Sequence, residues 1–146
     1  MAIRFYDVHA LPFGDFSNFS KHDLTLSQIW YPTAEHAFQS AKFAGMPQAE
    51  TIRRIRGPKD AARMARECRS LVRKDWDQVK DDVMGRVLLA KFSGHESLRQ
   101  LLLDTGSEAI EFASPMDAYW GTGRDGSGSN RIGRLLEGLR ESFRLT

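Results

Sequence analysis

Tyr31-Pro32-Thr33-Ala34-Glu35-His36-Ala37-Phe38-Gln39-Ser40-Ala41-Lys42 marks where a helix begins and what chemistry that helix carries. Thr33 stands where an N-cap belongs, ahead of small and apolar residues that run on to Gly45. The helix predicted from Thr33 to Ala44 puts Glu35 in its first turn, near backbone N–H groups that have no helical partner. Glu35, Gln39 and Lys42 then recur at i, i+4 and i+7, a polar stripe beside an apolar face of Ala37, Phe38 and Ala41. A carboxylate, an amide and an ammonium in one line suit either a solvated helix face or the floor of a polar cleft.

Outward from this helix, Ile3 to Val8 reads as a short strand running into a turn around Leu11-Pro12-Phe13-Gly14-Asp15. Leu24, Leu26 and Ile29 point to a second strand, with the alternation broken near Ser27 and Gln28. Pro47 opens a helix that ends before Gly57, and Pro58 opens another that reaches Arg69, because proline fits the first helical position. Asp75 with Gln78 three residues on reads as a capping box. The helix behind it carries Trp76, Val79, Val83 and Val87 on one face and stops near Gly94. Glu96 to Asp104 forms a shorter helix ended by Gly106, and Ala109 to Phe112 a strand. Asn130 caps a last helix with Ile132, Leu135, Leu136, Leu139 and Phe143 on one face. No repeat or linker interrupts this order. The expected fold class is α+β, a predominantly helical single domain over residues 1–146 with a few short strands.

Composition narrows the function classes. With 146 residues, 41% hydrophobic and 27% charged, the chain matches an ordinary globular protein with a substantial core. No signal-peptide pattern or apolar run near transmembrane length is present, so the expectation is a cytoplasmic protein with no membrane partner. The lone Cys68 excludes an internal disulfide, suits a reducing compartment, and sits in an Arg/Ala-rich helical stretch as an inert side chain. His9, His22, His36 and His95 show no paired zinc-ligand spacing, so no metal is expected. The net charge of +2 hides an asymmetry. Arg53, Arg54, Arg56, Lys59, Arg63, Arg66, Arg69, Arg73 and Lys74 face only Asp60 and Glu67, which gives this segment +7 and leaves −5 elsewhere. Such a block either attracts phosphate, on a nucleotide or a nucleic acid, or is an arginine-rich solvated surface.

Three further stretches hold candidate site residues. Gly121-Thr122-Gly123-Arg124-Asp125-Gly126 matches the dinucleotide fingerprint in letters but not in context, since one amphipathic helix follows it where a βαβ unit belongs. What survives is a flexible Gly/Ser loop leading to a helix N-terminus, with Asn130 as cap and Arg131 in the first turn, a place that can hold an anion. Just upstream, Asp117 is either a candidate acid or the cap of a turn, while Tyr119 and Trp120 either pack or offer a ring face beside Gly121. In Gly14-Asp15-Phe16-Ser17-Asn18-Phe19-Ser20 aromatics alternate with small polar residues, and Ser17 and Asn18 either read a ligand or satisfy a turn. Trp76 is likewise core or stacking platform.

Taken together, the pieces resemble the YbiA-like, or NADAR, family. The matching pieces are Phe5-Tyr6, Gly14–Phe19, Tyr31–Gln39 with Lys42-Phe43, Lys74–Lys80, Val83-Met84, Ala90–Phe92, Leu101–Gly106, Asp117–Gly121 and Asn130–Gly133. They occur in family order and span Ile3 to Arg140. The resemblance implies an N-glycosidase without a cofactor. One branch hydrolyses the ribosyl C–N bond of early riboflavin-pathway intermediates, and others resemble ADP-ribose enzymes that free guanine in nucleic acid. It places the catalytic glutamate on Glu35, the second acid on Asp117 and the stacking tryptophan on Trp76. Asn18, Lys42, Trp120 and Asn130 fall at its pocket positions; Phe19, Gly121 and Arg131 complete the expected substrate-binding set, in which Lys42 and Arg131 are candidates to neutralise the phosphate. The implied partner is a small ribosyl phosphate or ADP-ribosyl substrate, the latter on nucleic acid. The competing functions are a non-catalytic ADP-ribose or NAD-binding module and a nucleic-acid-binding protein built on the basic block.

Overall fold

The computed structural model describes residues 1–146 and has an α+β architecture dominated by helices. In chain order the elements are β1 (Ile3–Phe5), a 3₁₀ turn (Phe13–Phe16), β2 (Leu24–Leu26), β3 (Ile29–Tyr31), α1 (Ala34–Ala41), α2 (Pro47–Arg54), α3 (Pro58–Glu67), a second 3₁₀ turn (Arg69–Leu71), α4 (Trp76–Ser93), α5 (Glu96–Asp104), β4 (Ile110–Phe112) and α6 (Arg131–Arg144). None of the helices is long and apolar enough to cross a membrane. The chain divides into two compact units that interleave in sequence, Asn18–Lys91 and Met1–Ser17 with Phe92–Thr146.

In the Asn18–Lys91 unit, the expected second strand is a hairpin. β2 and β3 pair antiparallel with Leu26 opposite Ile29, and the break at Ser27 and Gln28 is a two-residue turn with φ of 51° and 69°. Left-handed geometry at both central positions matches the twist of the flanking strands, although it is usually supplied by Asn-Gly rather than Ser-Gln. Helix α1 packs on α2 and α3. Phe43, Ile52, Ala61 and Ala65 form one buried cluster, and Leu24, Ala34, Ala37 and Val87 another. The Thr33 cap is present: its hydroxyl accepts the His36 N–H at 3.2 Å. The buried His36 ring then bridges two elements. Its Nε2–H donates to the Ile55 carbonyl at 2.8 Å, so Nδ1 is the acceptor and takes the Thr33 hydroxyl proton, also at 2.8 Å. Burial lowers the pKa of His36, opposed by the bond to Ile55, and this neutral tautomer ties the start of α1 to the end of α2.

In the other unit, β1 and β4 pair in parallel with Ile3 opposite Ile110, and β1 stops at Phe5 rather than reaching Val8. Phe5 stacks on Phe112 at 5.3 Å and meets Phe16 edge-on at 5.7 Å, with Phe92 5.5 Å beyond Phe16. Helix α6 closes on β4 at Gly133, where a Cβ would fall inside the contact radius of the Ile110 carbonyl. Its side chains also serve the strand. Asn130 Nδ2 donates to Ile110 O and Oδ1 accepts from Phe112 N, both at 2.9 Å, while Glu137 accepts from Ile110 N at 2.8 Å. Asn130 therefore occupies the position before α6, at φ 50°, without capping it, because its amide is committed to the edge of β4. The buried face of α6 is Ile132, Gly133, Leu136, Arg140 and Phe143. Arg140 lies on it rather than Leu139, reaching Thr105 Oγ1 at 2.9 Å and Glu108 O at 2.7 Å.

Candidate active site

The stripe on α1 is largely withdrawn from solvent. Glu35 is half-buried, its N–H donates to the Asn18 carbonyl at 3.0 Å, and its Oε2 accepts from Gln39 Nε2 at 2.8 Å. A first-turn carboxylate is favoured by the helix dipole, and the i, i+4 amide narrows its orientation. Asn18 is itself buried, with Nδ2 3.4 Å from the Met84 sulfur. Oδ1 of Asn18 and Oε1 of Gln39 are buried and accept no hydrogen bond within the protein. An unpaired buried acceptor typically costs about 1–3 kcal/mol, so two on residues bonded to Glu35 call for an explanation beyond packing.

Lys42 ends the same stripe. Its Nζ lies 5.7 Å from the Phe38 ring and 5.8 Å from the Trp76 ring, and the two rings are 5.1 Å apart. The Lys42 carbonyl accepts from Arg73 N at 2.9 Å, which holds the start of α4, and with it Trp76, against the end of α1. Burial lowers the Lys42 pKa; the Glu35 charge raises it, and Arg66 and Lys80 lower it further. Trp76 is thus half-buried against Phe38 with a cation beside it, neither fully core nor free. Asp75 precedes α4 as expected, with its carboxylate taken by Arg73 at 2.6 and 2.9 Å. Phe19 is 36% exposed beside the buried Asn18.

Asp117, Trp120, Gly121, Asn130 and Arg131 belong to the second unit and are organised by one turn. Asp117 Oδ1 accepts from the backbone N–H groups of Tyr119 at 3.0 Å and Trp120 at 2.8 Å, so this half-buried carboxylate does shape the turn. Tyr119 and Trp120 meet edge to face at 4.8 Å, and the Arg131 guanidinium lies 5.5 Å from the Tyr119 ring. A Cβ at Gly121 would press to 2.7 Å from the Phe112 carbonyl, so this position needs glycine. Two expectations change here. The N-terminus of α6 is not open to an anion, since the N–H groups of Arg131 and Ile132 donate to the carbonyls of Tyr119 and Trp120, both at 3.1 Å. The Gly/Ser loop is tied rather than loose, with Thr122 bonded to Phe112, Gly123 to Ser114 and Ser129 to Ala118.

The basic block is partly neutralised in place. Arg53 and Arg54 share Glu50, Arg63 pairs with Asp60 and Arg73 with Asp75. Glu50 is held down to about 2 by hydrogen bonds from those arginines. The sequence puts Gln39 on the stripe without giving it a role. Its spacing of four from Glu35 was the signal; Met84 against Asn18 had none.

Comparison with known proteins places this geometry. The NADAR domain matches residues 4–144, and the chain belongs to that family. It is 43% identical over 141 residues to the Escherichia coli protein named N-glycosidase YbiA, covering 97% of this chain and 88% of that one. It is also 40% identical over 156 residues to the maize riboflavin biosynthesis protein PYRR, covering 97% of this chain and 25% of PYRR. The NMR structure of E. coli YbiA superposes with a TM-score of 0.91 at 42% identity, over 99% of this chain and 86% of that one.

Proposed function

We propose that the protein is an N-glycosidase that hydrolyses the ribosyl C–N bond of ribosylamino-pyrimidine phosphates, early intermediates of riboflavin synthesis. The observation that carries this reading is the single line on α1: a carboxylate oriented by Gln39, and two turns on a desolvated Lys42 beside the Phe38 and Trp76 rings. The names of the relatives agree, N-glycosidase for the E. coli protein and riboflavin biosynthesis for the maize protein.

In the proposed reaction the bond from C1′ to nitrogen breaks and its electrons pass to the amine. Water adds to C1′, one of its protons reaches the departing nitrogen, and ribose 5-phosphate and an aminopyrimidine result. Glu35 activates the water and stabilises the oxocarbenium-like charge. Lys42 neutralises the 5′-phosphate, and Trp76 offers its ring to the pyrimidine. Asp117 is assigned the second acid's part, with its Oδ1 already engaged by the turn. We place the reaction in the cytoplasm, where a free Cys68 persists.

The test is parallel incubation with ribosylamino-pyrimidine phosphates and with ADP-ribosylated DNA, following base release by mass spectrometry. Release of the aminopyrimidine is expected. Release from DNA alone moves the substrate to ADP-ribosyl guanine, and release from neither replaces the enzyme with a binding module.

A further inference from the structure

Gln39 lies one turn after Glu35, only 8% exposed, and its two amide atoms have unequal surroundings. Nε2 is spent on the Glu35 carboxylate, while Oε1 accepts nothing from the protein. Exchanging the two atoms would set an oxygen against an anionic oxygen, so the neighbour fixes which atom is left over. Asn18, 9% exposed, repeats the arrangement: Nδ2 faces the Met84 thioether and Oδ1 is left over. The Asn18 backbone carbonyl accepts the Glu35 N–H, so both residues are hydrogen-bonded to Glu35, Gln39 through its side chain and Asn18 through its main chain. The result is two buried neutral acceptors without donors, each on a residue bonded to Glu35.

We propose that Gln39 Oε1 and Asn18 Oδ1 form an acceptor pair that selects ligands presenting N–H or O–H donors to the Glu35 turn, and that Gln39 is a specificity-determining residue. This rests on the glycosidase reading for the class of ligand. A ribosylamine carries such donors in two places, the sugar hydroxyls and the amino groups of the ring. A ligand edge of carbonyl or phosphate oxygens would meet acceptor with acceptor and be refused. Sites built to hydrogen-bond a donor discriminate strongly against the analogue that lacks it, because a buried acceptor is then left unpaired.

The experiment measures binding by calorimetry to a non-hydrolysable C-glycosidic analogue of the ribosyl pyrimidine phosphate, its 2′-deoxy form and its des-amino form. The wild-type protein should lose roughly 10–100-fold in affinity for one of the two depleted forms. Loss with the 2′-deoxy form assigns the donor to the sugar, and loss with the des-amino form assigns it to the ring. Gln39→Met and Asn18→Ala should each narrow that gap. Equal wild-type affinity for all three forms, or no binding to any, overturns the acceptor pair even if both variants fail to fold. Base release without discrimination sinks this inference alone; discrimination without base release sinks the glycosidase reading alone.

Discussion

The side-chain amide of Gln39 donates to the Glu35 carboxylate over 2.8 Å, one turn along α1. A glutamine at position 35 would still accept that bond, so Glu35→Gln removes the charge and keeps the contact. Turnover should fall by about 10²–10⁴-fold, the usual contribution of a positioned acid or base, with the thermal midpoint nearly unchanged. Wild-type turnover in a folded variant would remove Glu35 from the mechanism.

Lys42 is charged at a position that burial penalises. Its native pKa lies below the ordinary 10.5, and the penalty is full below that native value. Between the native and the ordinary value the unfolded chain binds more protons, and stability attributable to this group rises with pH. Lys42→Met should therefore stabilise the protein below the native Lys42 pKa and flatten the rise in stability with pH relative to wild type. Ligand affinity should move the other way, weakening by roughly 10–100-fold as a charge-assisted phosphate contact is lost. Urea titrations and calorimetry on the same variant check both; a variant that is less stable and binds normally contradicts both assignments.

His36 carries the same sign into the acid range. Its native pKa is held below the ordinary 6.5 by burial, so stability is full above 6.5 and lost as pH falls toward the native value. Urea midpoints measured from pH 7 to pH 5 should decline in wild type and decline less in His36→Gln, which starts from a lower stability. Parallel declines would mean that other groups carry the acid sensitivity.

Asp117 allows its turn and its chemistry to be separated. Asn at this position keeps an Oδ1 acceptor for the Tyr119 and Trp120 N–H groups, whereas Ala leaves both without one. Asp117→Ala should cost about 1–3 kcal/mol of stability, and Asp117→Asn far less. If the carboxylate also serves the reaction, Asp117→Asn loses activity while staying folded. Full activity in that variant reduces Asp117 to a turn former.

Gly133 is required by contact rather than by dihedral freedom. Gly133→Ala forces α6 away from the Ile110 carbonyl and the Asn130 amide, and should cost at least about 2 kcal/mol, in the range of overpacked cores. Chemical denaturation of the purified variant measures this directly, and a wild-type midpoint would show that α6 has room to shift.

Much of this was readable in one dimension because the signals are local. Pro47 and Pro58 open α2 and α3, Thr33 caps α1, and Gly106 with φ 67° follows the end of α5. In sequence the hairpin looks like a broken strand because Ser27-Gln28 lacks the glycine that usually announces left-handed geometry. Asn130 has the look of a cap in sequence because asparagine before a helix usually is one. Its amide instead serves β4, a competition that no local pattern records.

The sequence by itself determined the helices, the place of Glu35 in the first turn of α1, and the stripe that joins it to Gln39 and Lys42, because capping and 3.6-residue periodicity are properties of neighbours in the chain. Only the tertiary structure decided that β1 pairs in parallel with β4, more than a hundred residues away, and that His36 locks α1 to α2. It alone showed that the stripe is half-buried against Phe38 and Trp76 and that the amide oxygens of Asn18 and Gln39 are left without donors. Those outcomes depend on which surfaces lose water and which polar groups find partners, and both are set by segments far apart in sequence.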